Sequence, residues 1–181
     1  MPGPLGCAKR SNIVVISEGA LLLAGFVLAH SAWSISDLPA GDFLVPLAIV
    51  ESNGERKLLR FEADTQEQAI TRGKAEVASL SATVDAWAFA REGLMPDGDS
   101  KADVLSVDVW ARGMDTPVTI VQRFVPNASE GGFRIVGEPI LVAGGVVQPD
   151  AASRSAIDAV LRGVQSHPKV APLWSSWKSQ P

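Results

Sequence analysis

Three apolar segments in the second half of the chain follow one another with only short connections. They cover residues 104–112, 118–125 and 133–142, and the first alternates between apolar and polar side chains. A period of two is typical of a strand that buries one face. Connections this short join antiparallel neighbours, because parallel strands need a long crossover. The sequence therefore predicts an antiparallel meander, which Ala143-Gly144-Gly145 is expected to end.

A second strand pair is predicted nearer the N-terminus. Residues 43–51 and 56–62 are strand-like, and Ser52-Asn53-Gly54-Glu55 lies between them. Asn-Gly between two such segments predicts a β-hairpin, because both turn residues tolerate a positive φ. Pro46 has no amide donor, and it indicates an edge strand or a bulge in the first of these strands.

Capping residues and apolar stripes predict three helices. The predicted starts are Ser17 for the first, Asp64 or Thr65 for the second, and Asp150 or Ser153 for the third. Thr65 and Gln68 have the spacing of a capping box, in which the side chain of each residue accepts a hydrogen bond from the backbone N–H of the other. The third helix is expected to stop by Ser166, because a residue before proline is disfavoured in a helix.

The segment 84–91 is compatible with two structures. Its alternation over eight residues favours a strand, whereas its alanines allow the second helix to continue to about residue 92. In the strand, Val84 and the alanines form a face of small side chains that accepts a closely packed helix. Gly73 on the second helix costs helix propensity, and a close approach to the sheet is the expected compensation.

These elements predict an α+β domain with three helices and a single antiparallel sheet of about six strands, an N-terminal hairpin plus a C-terminal meander. We expect a flexible arm over residues 1–11, which contains Cys7, a single domain over 12–166, and a tryptophan-containing tail over 167–181. Trp174 and Trp177 in that tail either dock back onto the domain or form an exposed patch for a partner.

The N-terminal segment has two interpretations. Lys9 and Arg10 precede an apolar run that reaches Ala29, which is the outline of a secretory signal removed with residues 1–31. Glu18 lies within the wider apolar stretch, and the uncharged run is shorter than the roughly 20 residues that span a bilayer. We therefore expect a core helix in a cytoplasmic protein without an integral membrane segment, with export after cleavage as the alternative.

Composition excludes several kinds of site. A formal net charge of −4 and a pI of about 5.2 give no electrostatic basis for binding nucleic acid. One Cys and two His exclude a disulfide framework and a His/Cys-rich metal centre, and Tyr is absent. The sequence contains neither a Gly-x-Ser-x-Gly nucleophile motif nor a phosphate-binding glycine loop. We expect no cofactor, no metal and no catalytic residues.

The two histidines have structural interpretations. His30 lies on the apolar face of the first predicted helix, where a buried and hydrogen-bonded imidazole is expected. His167 lies at the end of the third predicted helix, where a cation complements the helix dipole. A catalytic role for His30 would need an acid or a nucleophile within hydrogen-bonding range, and a structural role is the expected one.

The strongest candidate for function is a sheet face. If 84–91 pairs with 104–112, one face carries Trp87, Phe89, Arg91, Asp108, Trp110 and Arg112. Trp and Arg are favoured in protein interfaces, because they bury a large area and keep polar groups. The alternatives are that the N-terminal or C-terminal helix covers this face, or that a small ligand stacks on the indole rings.

The leading functional hypothesis is a non-enzymatic domain for protein interaction or self-assembly, with a homodimer or another protein as partner. It follows from the aromatic face and from the missing catalytic groups. The alternative is a small-molecule-binding domain or an unassigned enzyme whose carboxylates are Asp85 and Asp108, on the same face as Arg91 and Arg112.

Overall fold

One antiparallel sheet of seven strands organises the protein in a computed structural model, which describes residues 14–178. The strands are β1 (Leu47–Ser52), β2 (Glu55–Arg60), β3 (Ala86–Asp97), β4 (Ser100–Ala111), β5 (Val118–Val125), β6 (Arg134–Ala143) and β7 (Val146–Val147). The helices are α1 (Glu18–Ile35), α2 (Gln66–Leu80), α3 (Asp150–Gln165) and α4 (Ala171–Trp177). The α+β class and the single sheet are confirmed. The predicted arm over residues 1–11, with Cys7, lies outside the described residues.

The strand order is β2-β1-β3-β4-β5-β6-β7, so the N-terminal hairpin joins the meander along β1 and β3. Helices α1, α3 and α4 pack on one face of this sheet and form the larger hydrophobic core. Helix α2 packs on the other face, against β1 and β3, over a second and smaller core. Three helices therefore cover most of one face of the sheet, and a single helix covers part of the other.

The predicted hairpin is confirmed, with Asn53 at a φ of 53° and Gly54 at a φ of 79° between β1 and β2. The interpretation of Pro46 as a mark of an edge strand is wrong. β1 is an inner strand between β2 and β3, and Pro46 immediately precedes it. Because Pro46 lies outside β1, its missing N–H removes no bond from that strand, and its carbonyl still accepts a hydrogen bond from the Phe61 amide at 2.8 Å.

The segment 84–91 contributes to a strand, β3, and not to a longer second helix. The predicted packing of the second helix on the alanine face is wrong, because Ala86, Ala88 and Ala90 lie against α1. Val84, predicted on the same face, precedes β3 and belongs to the smaller core. Helix α2 instead covers the aromatic face, where a Cβ on Gly73 would overlap the ring of Phe89 and lie 2.9 Å from Phe61. The glycine does permit close approach to the sheet, but to its bulky side.

The meander is confirmed in β4, β5 and β6, and the sheet then continues one strand further than predicted. Gly144 and Gly145 have φ values of 58° and 75° and turn the chain into β7, which pairs with the end of β6. Between β5 and β6 the pairing register shifts after Val121. Gln122 is buried there and its amide donates to the carbonyls of Val136 and Gly137 at 3.0 and 3.3 Å. The Gln122 side chain therefore supplies hydrogen bonds to two β6 carbonyls at the point where the regular β5–β6 pairing is interrupted.

Two predicted helix caps are confirmed. The Ser17 hydroxyl accepts from the Ala20 amide at 3.4 Å, and the Thr65 hydroxyl accepts from the Gln68 amide at 3.2 Å. Helix α1 has a mean hydropathy of 1.3 and is long and apolar enough to cross a membrane, while 61% of it is buried inside this fold. Length and composition alone therefore fit both interpretations of the N-terminal segment.

The residues predicted as a C-terminal tail contain helix α4. Trp174 is 2% exposed and belongs to the larger core, and Trp177 contacts the Phe133 ring edge-on at 5.1 Å between centroids. Lys178 forms a parallel bridge with Ile135 of β6. Packing therefore continues without a break beyond residue 166 and includes both tail tryptophans.

Candidate functional site

Five of the six predicted site residues share the α2 side of the sheet at β3 and β4, and the sixth, Arg112, follows β4 in an exposed position. The register places Trp87 opposite Trp110 and Phe89 opposite Asp108. The two indole rings stack with centroids 6.5 Å apart and planes inclined by 23°. The alternation of β3 and β4 thus brings the aromatic and charged side chains together as expected for an antiparallel pair.

Helix α2 covers the β3 part of this face. Phe89 is fully buried and Trp87 is 4% exposed, both in the smaller core beneath α2. Trp110, one strand further along, is only half-buried at the edge of that core. The covering element is the middle helix, whereas sequence reasoning considered only the N-terminal and C-terminal helices for this role.

Both indole N–H groups are already bonded within the chain. Trp87 Nε1 donates to the Ser81 hydroxyl at 2.7 Å, and Trp110 Nε1 donates to the Met114 carbonyl at 2.9 Å. A ligand stacked on these rings would therefore gain apolar contact area and no hydrogen bond from the indole nitrogens.

The charged residues of the face form two separate ion pairs. Arg91 contacts Asp108 at 2.6 Å, and the Thr119 hydroxyl donates to the same carboxylate at 2.7 Å. Arg112 contacts Asp85 at 3.5 Å in an exposed position and also donates to a backbone carbonyl. Both candidate carboxylates are thus held by neighbouring side chains.

The rest of this side of the sheet remains open. The contacts of α2 are with β1 and β3, and no helix within residues 14–178 packs over the same side of β4, β5 and β6. We call this surface the open face. Its partly exposed side chains include the apolar Trp110, Val121, Val136, Ile140 and Val142 and the polar Ser106, Asp108, Thr119 and Arg123. An antiparallel sheet with one solvated face normally places polar residues there, so the valines and isoleucine are notable.

A cleft of about 300 Å³ lies beside the loop that follows α1, and sequence reasoning missed it. Its lining includes Glu92 and Asp103 together with the aromatic rings of Phe43 and Phe124. The Leu44 amide donates to the Glu92 carboxylate at 2.6 Å. Burial raises the pKa of Glu92, the bond from Leu44 lowers it, and Asp103 raises it further. A carboxyl group with a raised pKa in a cleft is a recurrent feature of functional sites.

The two histidines of the chain are in contact, although 137 positions separate them. His30 Nδ1 lies 3.3 Å from His167 Nε2, a hydrogen bond in which one ring donates and the other accepts. The outer nitrogens, His30 Nε2 and His167 Nδ1, are buried and have no partner among the described residues. Nothing local in the sequence predicts this pair, because it depends on the packing of α1 against the end of α3.

Positive charges surround the histidine pair. Burial lowers the pKa of His30, and His167, Arg60 and Lys169 lower it further. Burial also lowers the pKa of His167, its backbone hydrogen bond raises it and Lys169 lowers it. Lys169 itself lies 4.3 Å from the centre of the Trp33 ring. Burial and these charges therefore favour the neutral form of both rings.

Among residues 14–178, the structure brings together no group of three or more His, Cys, Asp or Glu side chains that is arranged to hold a metal ion. Comparison of the chain with protein-family models, with curated proteins and with solved structures finds no match. Function is therefore argued from the surfaces described above.

Proposed function

We propose that this protein is a non-enzymatic interaction domain that self-associates through its open face. The observation that carries the proposal is the partial cover of the aromatic side of the sheet. Trp87 is buried under α2, whereas Trp110 is partly exposed on the open face, and Val121, Ile140 and Val142 are partly exposed beyond the Asp108–Thr119 pair on the same face. Apolar side chains that stay partly exposed among polar ones on a sheet face are typical of a protein interface.

The charges on the open face favour a second copy of the chain as partner. Arg91 and Asp108 neutralise each other at 2.6 Å, so burying them under a partner leaves neither charge alone. The face also carries both signs of charge, and a two-fold contact between identical faces therefore need not oppose like charges. Trp110 would be the anchor, because tryptophan is enriched among residues that dominate interface energies.

Light scattering over a range of protein concentrations tests the proposal. We expect the wild-type protein to approach twice the monomer mass, and the Trp110→Ala and Val121→Glu variants to remain monomeric. Leu94→Glu is the matched control, because Leu94 is 62% exposed on the arm of the β3–β4 hairpin, away from the open face. A wild-type protein that is monomeric at every concentration rejects self-association. The Trp87→Ala variant is not a test of self-association, because Trp87 is a buried core side chain and its removal would destabilise the fold.

A second candidate function is small-molecule binding in the cleft beside Glu92. The raised pKa of that carboxyl supports it, as do the Phe43 and Phe124 rings in the same lining. The described lining contains acidic and no basic side chains, which favours a small organic cation. Titration of isotopically labelled protein with benzylamine, followed by NMR, tests this proposal. Shifts of the Leu44 and Glu92 resonances that disappear in the Glu92→Gln variant would support binding in the cleft, and unshifted resonances would reject it.

The alternative in which Asp85 and Asp108 are the acting carboxylates is less favoured, since both are engaged in ion pairs.

We further propose that the protein is cytoplasmic and retains residues 1–31. Removal of that segment would take most of α1, whose Gly25 packs against Gly163 of α3 in the larger core. Mass spectrometry of the protein from its native host tests this. A mature N-terminus near residue 32 would support export instead.

A further inference from the structure

Strand β2 forms one edge of the sheet, and its outer side is free of pairing among the described residues. It follows β1 through the Asn53–Gly54 turn and has no strand beyond it in the sheet order. Four of its six residues in succession, Glu55 to Leu58, are exposed. An edge of this kind presents unpaired backbone groups that another extended chain can bond.

The backbone geometry shows which residues face outward. The Phe61 N–H donates a hydrogen bond to the Pro46 carbonyl, on the β1 side, at 2.8 Å. Along a strand, the backbone N–H and C=O groups of successive residues point alternately to the two sides. Arg56, Leu58 and Arg60 therefore direct their N–H and C=O groups away from β1. No hydrogen bond within residues 14–178 uses these groups outside strand pairing.

The same three residues also share one side of the sheet. They pair with Glu51, Ile49 and Leu47 of β1, and the last two belong to the core under α1. The guanidinium of Arg56 lies 4.7 Å from the centre of the Phe26 ring of α1. The edge thus displays an alternating row of cation, apolar side chain and cation, with Leu58 41% exposed at its centre; Arg56 also lies 3.4 Å from the Glu51 carboxylate, which leaves Arg60 as the stronger site for a partner's carboxylate.

We propose that the free edge of β2 binds an extended acidic peptide segment of another protein by strand addition. The peptide would place a carboxylate, an apolar side chain and a second carboxylate at alternate positions, opposite Arg60, Leu58 and Arg56. Cross-strand pairs of opposite charge stabilise such pairing, and main-chain bonds supply the register.

A second copy of β2 does not fit this edge. Antiparallel pairing centred on Leu58 would set Arg56 of one chain opposite Arg60 of the other, and like charges directly opposite are destabilising. Cationic side chains on edge strands oppose self-pairing in general. Here they leave an acidic strand as the complementary partner. The open face lies on the other side of the sheet, so this inference is independent of the proposed self-association.

The test uses a fluorescently labelled, capped peptide of sequence Thr-Glu-Val-Leu-Val-Glu-Thr, which reads the same in both directions. We expect saturable binding by fluorescence anisotropy, and no binding of the peptide with lysines in place of both glutamates. Hydrogen exchange should slow at the amides of Arg56, Leu58 and Arg60, and stay unchanged at those of Lys57 and Leu59, which already bond β1.

Two variants separate charge from backbone pairing. Arg60→Glu should weaken binding about tenfold or more, whereas Lys57→Glu, with the same charge change on the other side of the sheet, should change it less than about threefold. Leu58→Pro removes one outward N–H and keeps the β1 bonds, so it should abolish binding without unfolding the protein. Equal binding of the lysine peptide, equal effects of the two charge reversals, or protection at Lys57 and Leu59 would overturn the proposal.

Discussion

His30 and His167 meet ring to ring, with 3.3 Å between Nδ1 of the first and Nε2 of the second. Both pKa values lie below the ordinary histidine value of 6.5, and burial is the main cause for each. The pair can keep its hydrogen bond with both rings neutral or with one protonated, but not with both protonated, because two imidazolium rings have no acceptor between them.

The pair predicts a loss of stability as the pH falls. A histidine with a lowered pKa binds protons more readily in the unfolded chain, so protonation favours unfolding. The free energy of unfolding should therefore decrease from about pH 7 downward through 6.5. Urea unfolding of wild type and of the His30→Gln/His167→Gln variant between pH 7.5 and about pH 5 checks this. The slope should be flatter in the variant; equal slopes would show that the pair does not titrate on unfolding.

The close contact between Gly25 and Gly163 predicts that a glycine-to-alanine substitution in helix α1 lowers the stability of the protein. Replacing a helix-interior glycine by alanine ordinarily stabilises a protein by up to about 1 kcal/mol. At Gly25 a Cβ would lie 2.9 Å from the Gly163 Cα and would overlap the Val160 carbonyl of α3. We expect Gly25→Ala to lower the free energy of unfolding by about 2 kcal/mol or more, measured by thermal and urea unfolding.

Gly19 is the matched control in the same helix. A Cβ there would meet only the Ser17 hydroxyl, at 3.6 Å. Gly19→Ala should leave stability unchanged or increase it slightly. If both alanine variants behave alike, the close crossing of α1 and α3 does not limit side-chain size at Gly25.

Two ion pairs of equal length predict different coupling energies. Arg91–Asp108 and Arg154–Glu138 both span 2.6 Å, but the first pair is less than 20% exposed and the second is 54% exposed at each side chain. Double-mutant cycles with alanine should give about 1–3 kcal/mol for Arg91–Asp108, which also accepts a bond from Thr119. The Arg154–Glu138 coupling should be distinctly smaller. Equal couplings would contradict the role of burial.

The raised pKa of Glu92 predicts that its contribution to stability decreases as the pH rises, which is opposite to the effect of the histidine pair. Because its pKa is raised above 4.5, the folded protein holds this proton more tightly, and the resulting stability is lost as the pH rises through the folded-state pKa. Glu92→Gln should therefore raise the melting temperature at pH 7 and have little effect near pH 4, by differential scanning calorimetry. Asp103→Asn should lower the Glu92 pKa measured by NMR, since Asp103 contributes to raising it.

Local chemistry was enough to predict most elements correctly. The Asn53–Gly54 hairpin, the caps at Ser17 and Thr65 and the meander follow from turn geometry, capping bonds and the period of two, which act over a few residues. The shared face of Trp87 and Trp110 follows from the same alternation once β3 and β4 pair. Pro46 was misinterpreted because the edge position of a strand depends on distant segments.

The amino-acid sequence by itself determined which stretches become strands and helices and which side chains share a strand face, because backbone preferences and side-chain periodicity act locally. Only the tertiary structure decided that α2 covers Phe89 and Trp87 but not Trp110, that α1 takes the alanine face, and that His30 reaches His167. These outcomes depend on how whole elements fill space against one another, since burial of apolar area is non-directional and many arrangements share the same local pattern.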